Sequence, residues 1–328
     1  MTYLHTAGVL DKLKSAGLTA YITESDDNDA NRLVAIDALS DRQLKVIESI
    51  RSALALGVHS GSVKVVRSGE FDRQGPISMH PTFGLLGIGE AVDALVVDDR
   101  FVNRHALLKR DNQQPPILCS LDILEDLQQR GVISIEDFFA YRTHLRRAGY
   151  QLIPVREDEL LHHLARATIA QDTLVETAEL RAIRECILRA CMSKMLQIPS
   201  EVPWLQQSKA AIGGAIYRLW QTGAVAHDVI ARARWLVLLL DLRGFAASAA
   251  PGNEKTFTQQ ARASQILALL TPPPDVTPTV HDAYLAWIDE TILKDTKARE
   301  PEVFAWLVER ARELIAHTVQ ASIQEFEG

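Results

Sequence analysis

The sequence predicts an α/β domain built on a parallel sheet, followed by an all-α domain. In the first half of the chain, short apolar runs alternate with segments whose apolar residues recur at helical spacing, as in strands joined by helices. In the second half the strand-like runs stop and only amphipathic helical segments follow. We therefore expect an α/β domain over residues 1–168 and a helical domain over residues 169–328.

Composition is that of an ordinary globular protein. The 328 residues suffice for two domains with a core each, and 47% of them are apolar. A net charge of −7 argues against general non-specific binding to nucleic acid. Three cysteines are too few for a disulfide framework or a zinc site. No signal peptide is recognisable, and the longest apolar run, 235–240, is too short for a membrane span, so we expect a cytoplasmic protein without membrane association.

The elements of the α/β part follow from apolar runs and from helix start and stop signals. Continuous short apolar runs are typical of strands covered on both faces. The predicted strands are 18–23, 62–66, 93–97, 117–120 and 150–155. The predicted helices are 3–16, 40–57, a short one from Pro81, 121–130, one from Ser134 to Ala148, and one from 156. Glycines at 17, 57 and 131 are expected to end helices.

The second half carries helical spacing throughout, and no strand is expected between 173 and 326. Prolines at 199 and 203 and the run 271-TPPPDVTP-278 divide it into blocks. Its tryptophans are expected in the core, because an indole buries a large apolar area. They stand at positions 204, 220, 235, 287 and 306.

Oxygen-bearing side chains follow three of the predicted strands. Asp98 and Asp99 come directly after one strand, Ser120 and Asp122 stand at the end of the next, and Glu24 follows 18–23. Ligands of open parallel sheets bind beyond the carboxyl ends of the strands, so these side chains are expected to converge. Neighbouring carboxylates repel one another unless a cation lies between them, and Mg²⁺ or Mn²⁺ suits such oxygen ligands. A bound cation would activate water and neutralise charge at a phosphodiester.

Structural roles compete with this interpretation. Either Asp98 or Asp99 could cap a helix that begins near Phe101. Arg100, Asn103 and Arg104 could bind phosphate or substrate, or form a solvated helix face. The double acid also occurs in receiver domains of two-component signalling. That alternative is rejected, because the phosphoacceptor and lysine such a domain needs do not appear at the later strand ends.

Three segments resemble the PIN-domain superfamily of metal-dependent nucleases. They are 94-ALVVDDRFVNRHALL-108, 117-ILCSLDILEDLQQRGVIS-134 and 143-THLRRAGYQLIPVREDEL-160. The resemblance covers about residues 3–165 and implies a PIN-like parallel sheet flanked by helices. The remainder, for example 181–205, is similar to helical regions that follow this domain in large bacterial helical-repeat proteins.

The resemblance implies that Asp98 and Asp122 bind Mg²⁺ or Mn²⁺ with Glu24 as a looser match, and that Asp99 assists. Arg100, Asn103, Arg104 and Ser120 would then contact RNA. The family's first strand, with its catalytic aspartate, has no counterpart, since the chain begins MTYLHTAGVLDKL. Two functions follow: a metal-dependent ribonuclease of toxin or defence type, or a catalytically inactive interaction or regulatory module. The module would bind a protein partner, or a second copy, through an open sheet edge.

Overall fold

A computed structural model describes seven stretches of the chain. They are 41–61 except 42, 43 and 46, then 93–109, 114–193, 202–222, 227–241, 243–245 and 252–313. The chain divides into two units, Met1–Glu90 and Ala91–Gly328. The strands predicted at 18–23 and 62–66, the helices predicted at 3–16 and from Pro81, and Glu24 lie outside the described residues.

In the first unit, every described position from 41 to 60 is helical, and this segment is helix α1. The prediction that it ends at Gly57 was wrong, because the helix continues for three more residues. Gly61 follows with φ 77°, a left-handed conformation that glycine adopts without steric cost. The chain therefore leaves the helix at the second glycine.

The second unit is mostly helical, with two small sheets among its described residues. Strand β1 is Leu95–Val96 and pairs in parallel with β2, Ile117–Leu118. Strands β3, Ile169–Ala170, and β4, Thr173–Leu174, form an antiparallel hairpin. The described helices are α2 Ser120–Gln129, α3 Ile135–Arg147, α4 Glu157–Arg166, α5 Ala178–Met192, α6 Val202–Gln221, α7 His227–Leu239, α8 Glu254–Leu270, α9 Pro278–Ile288, α10 Lys294–Arg299 and α11 301–313, with a π-helical segment Asp289–Leu293 between α9 and α10.

The predicted signals place α2 and α3 correctly. Helix α2 ends at Gln129 with Arg130 as its C-cap, and Gly131 follows with φ 69°. Helix α3 begins after Ser134, whose hydroxyl oxygen accepts a hydrogen bond from the Asp137 N–H at 3.0 Å. This cap satisfies one of the N–H groups that a helix start leaves without a partner.

The segment predicted as strand 150–155 is not a strand. Leu152 has φ 57°, which breaks an extended conformation. The carbonyl of Ile153 accepts a hydrogen bond from the Trp204 indole at 2.9 Å, and that of Pro154 accepts from the Arg142 guanidinium. Side chains thus occupy the acceptors that a neighbouring strand would need, and Pro154 has no N–H to offer.

The expectation that no strand occurs between 173 and 326 was wrong, because the short strand β4 lies at the start of this range. Gln171 and Asp172 connect β3 to β4 with φ values of 50° and 56°. Two successive left-handed residues form the turn that matches the twist of a two-residue hairpin. Asn-Gly is the usual sequence for that turn, and its absence explains why the pattern did not signal a hairpin.

One hydrophobic core extends from Val155 to Leu307 and therefore crosses the boundary predicted at 168. Four of the five tryptophans are buried in it, and Trp306 packs against it half-buried, which confirms their predicted role. The Trp220 ring meets those of Tyr284 and Trp287 at centroid distances of 5.4 and 5.5 Å. No described helix has both the length and the apolar character that crossing a membrane requires.

Candidate functional site

The parallel pairing of β1 and β2 brings the ends of the two strands to one edge. Leu95 lies opposite Ile117 and Val96 opposite Leu118, so Asp98 and Ser120 follow at matching positions. The Asp98 carboxylate accepts hydrogen bonds from the Ser120 N–H at 2.8 Å and the Ser120 hydroxyl at 2.5 Å. The structure thus brings these two predicted site residues into direct contact.

Tyr150 supplies a third donor to the same carboxylate. Its hydroxyl donates to Asp98 at 3.0 Å. Burial, together with the neighbouring Cys119 and Asp98, raises the pKa of Tyr150 far above its ordinary value. The phenol therefore stays protonated and remains a donor. Sequence reasoning missed Tyr150 because it was assigned to a strand; the signal that could have found it is Gly149, which directs the chain into a turn with φ 91°.

Hydrogen bonding outweighs burial at Asp98. Partial burial alone would raise the pKa of Asp98, but the bonds from the Ser120 hydroxyl, the Ser120 N–H and Tyr150 hold that pKa below its ordinary value. A carboxylate offers about four acceptor positions, and three of them are used here. The ionised Asp98 carboxylate therefore connects the two strand ends and the segment after α3 through hydrogen bonds.

Asp99 and Asp122 act as caps. The Asp99 carboxylate accepts hydrogen bonds from the N–H groups of Phe101 and Val102 at 2.8 and 3.2 Å, as a cap would, but it does so at a turn and not at the start of a helix. A turn over residues 100–104 takes the place of the helix expected near Phe101. The Asp122 carboxylate accepts from the Cys119 N–H at 2.6 Å and so closes the start of α2.

A cavity of about 420 Å³ opens beside Asp98. Its walls include three predicted substrate-binding residues, Arg100, Asn103 and Arg104, together with Tyr150. The Arg100 guanidinium lies 5.3 Å from the centre of the Phe101 ring. The Arg104 Nε donates to the His105 ring at 3.0 Å. The side-chain oxygen of Asn103 is buried and has no hydrogen-bond partner among the described residues. Positive and polar groups therefore surround a single carboxylate.

The described members of the expected metal set do not fit Mg²⁺ or Mn²⁺ by themselves. Asp98 and Asp122 both accept hydrogen bonds from their own chain, and so does Asp99, the acid that was expected to assist. Within the described stretches, no group of three His, Cys, Asp or Glu residues could hold a metal ion. Mg²⁺ needs a near-octahedral set of oxygen ligands with free acceptor positions. Glu24, the remaining predicted ligand, lies outside the described residues.

We expect Asp98→Asn to lower the free energy of unfolding by about 1 kcal/mol at pH 7, because a charge-assisted acceptor of three hydrogen bonds becomes a neutral amide at a solvent-exposed position. Since the pKa of Asp98 is lowered in the folded state, its contribution is present above the ordinary carboxyl pKa and is lost as pH falls through the folded-state pKa. Urea titrations at pH 7 and in acid measure this difference. Equal stability of the two proteins at pH 7 would contradict the bracing role.

Comparison with known proteins gives no family assignment. No protein-family model, no curated protein and no solved structure matches this chain. The resemblance to the PIN-domain superfamily thus depends on the residues of the three segments 94–108, 117–134 and 143–160.

Proposed function

We propose that the chain is a PIN-like protein that works as a non-catalytic interaction module with a protein partner. The supporting observation is the use of the acids. Asp98 braces the strand ends, and Asp99 and Asp122 cap the segments that follow them. Acids employed in this way stabilise local structure, and Asp98, with three of its four acceptor positions occupied, has little capacity left for a metal ion.

A PIN-like parallel sheet flanked by helices is part of this proposal. Its support is the parallel pairing of β1 with β2 and the immediate passage from β2 into α2. Parallel pairs are typical of α/β sheets. The helical region that follows shares its core with α4, so the module would present one continuous helical body after the strands.

The turn at 100–104 is the proposed contact surface. Phe101 is 60% exposed, and Arg104 is exposed beside it. Aromatic and arginine side chains are enriched at protein interfaces and supply most of their binding energy. The two arginines of the turn would favour a partner with acidic groups at its rim.

The experiment is purification of the full chain, after chemical cross-linking, from the cells that express it. We expect a stable complex with the wild-type protein and its loss with Phe101→Ala/Arg104→Glu. The matched control, Phe257→Ala/Arg299→Glu, alters an exposed phenylalanine of α8 and an exposed arginine of α10 and should keep the complex. Purification of the wild-type chain alone, or equal capture by both double variants, contradicts the proposal.

A metal-dependent ribonuclease is the second candidate. It is supported by the position of Asp98 beside the start of α2, with Ser120 and Asp122, at one sheet edge, and by the cavity that Arg100 and Arg104 line. Arginines there could bind the phosphates of RNA, and Mg²⁺ or Mn²⁺ would supply water activation and charge neutralisation. Glu24 would be the further ligand. Mn²⁺-dependent cleavage of single-stranded RNA that Asp98→Asn abolishes would favour this candidate over the interaction module, which predicts no cleavage by either protein.

A further inference from the structure

A second cavity lies among the helices, away from the acids at the strand ends. It has a volume of about 370 Å³ and is bounded by residues of α6 and α8 and by Leu240. This size lies within the range of pockets that hold small organic molecules. Its walls include Lys209, Gly213, Tyr217, Leu240, Gln265 and Leu269.

Gln265 is the unusual member of this wall. It lies on the buried face of α8 and is only 3% exposed. Within the described part of the chain, neither its amide oxygen nor its amide nitrogen has a hydrogen-bond partner. An unpaired buried polar group is destabilising, so most such groups in folded proteins are paired. A ligand in the cavity that Gln265 borders could supply the missing hydrogen-bond partners of its amide.

The other polar groups of the cavity have different roles. The Tyr217 hydroxyl donates to the Ala268 carbonyl at 2.9 Å, which leaves its ring as a flat apolar wall. Lys209 is half-buried at the cavity and forms no ion pair with any described residue. The site therefore combines an amide that can give and receive a hydrogen bond, an aromatic wall and a positive charge.

We propose that this cavity binds a nucleoside monophosphate. A glutamine amide pairs in bidentate fashion with a ring edge that carries an adjacent donor and acceptor, as an adenine base does. The Tyr217 ring offers a surface against which a flat base can pack, and Lys209 offers a charge for the phosphate. Base recognition by Gln265 would remove the cost of its unpaired amide.

Gly213 offers a way to close the cavity without disturbing the helix. A Cβ added at Gly213 would meet no atom within 4 Å, although this glycine lines the cavity. The neighbouring Gly214 differs, because a Cβ there would meet the Glu157 carboxylate. Gly213→Leu should therefore fill the cavity and keep the fold, helped by the better helix propensity of leucine.

Titration calorimetry of the full chain with AMP tests the proposal. We expect saturable binding by the wild-type protein, weakened about tenfold or more by Gln265→Leu, because an apolar side chain leaves the base edge unpaired. Gly213→Leu should abolish binding. Gln259→Leu, the same change elsewhere on α8, should leave it unchanged. Purine riboside monophosphate, which lacks the exocyclic amino group, should bind the wild-type protein more weakly than AMP.

Gln265→Leu should fold at least as well as the wild-type protein, since it removes an unpaired buried amide, and a thermal melt checks this. No binding of AMP by the wild-type chain at millimolar concentration would overturn the proposal. Binding that survives both Gln265→Leu and Gly213→Leu would also overturn it, because the nucleotide would then occupy another part of the molecule.

Discussion

Glu159→Gln is expected to lower the free energy of unfolding by about 3–5 kcal/mol, as the loss of one partner from a buried ion pair does. The Glu159 carboxylate binds Arg142 at 3.1 Å and Arg146 at 2.9 Å, and all three side chains have no exposed area. A neutral amide would leave two guanidinium charges buried without their carboxylate. Urea unfolding of both proteins at pH 7 measures the difference.

The pH dependence of this variant has a defined sign. Burial alone would raise the pKa of Glu159, but the charges of Arg146 and Arg142 hold that pKa below its ordinary value. The stabilisation is therefore present above the ordinary glutamate pKa of about 4.3 and is lost as pH falls through the folded-state value. Wild type and Glu159→Gln should converge in acid. As a control, Asp126→Asn breaks the exposed pair with Arg130 and should change stability far less than Glu159→Gln, because exposed ion pairs contribute little. Equal costs for the buried and exposed pairs would contradict the assignment.

Trp220→Ala should be nearly as damaging, with a loss of about 3–5 kcal/mol. The Trp220 side chain is 1% exposed and packs edge-to-face on Tyr284, with the two ring planes at 87°. Removing it opens a cavity where α6 meets α9, and the surrounding helices cannot fill a space of that size. Denaturant unfolding monitored by far-UV circular dichroism provides the measurement.

Two further variants separate packing from polarity at this position. The Trp220 indole N–H has no hydrogen-bond partner among the described residues, so Trp220→Phe keeps much of the packing and removes an unpaired donor. We expect Trp220→Phe to cost much less than Trp220→Ala. Leu238→Ala, at a position 72% exposed, should change stability by about 0.5 kcal/mol or less. A loss as large as that of Trp220→Ala would contradict the expectation that most of the packing is kept.

Local signals explain which elements the sequence predicted well. The cap at Ser134 and the glycine at 131 act over a few residues, and each of the two apolar runs that form the parallel pair is recognisable from its own residues; all were found at their expected places. The strand prediction for 150–155 was wrong because the conformation of this segment depends on contacts that are not local. Its apolar composition suits a strand, but its carbonyl groups bind Trp204 and Arg142, residues distant in sequence that no local pattern connects to it.

The candidate site was predictable in location and less so in role. Parallel strands bring their ends together, so the contact between Asp98 and Ser120 followed from the order of strands. Whether a carboxylate faces a cavity or its own backbone depends on single torsion angles. The Asp99 carboxylate binds the N–H groups of Phe101 and Val102. The sequence was compatible with this local role and with a role in the cavity, and it did not distinguish the two.

Side chains from several helices form hydrogen bonds at the segment between α3 and α4, and these bonds affect how the helices open. Arg142 and Trp204 hold its carbonyl groups, while Arg189 of α5 donates to the Arg146 carbonyl at 2.5 Å. Each of these bonds is lost when the helix that carries its donor moves away. Amide hydrogens of α3, α5 and α6 should therefore exchange with deuterium at a common rate, through a single joint opening.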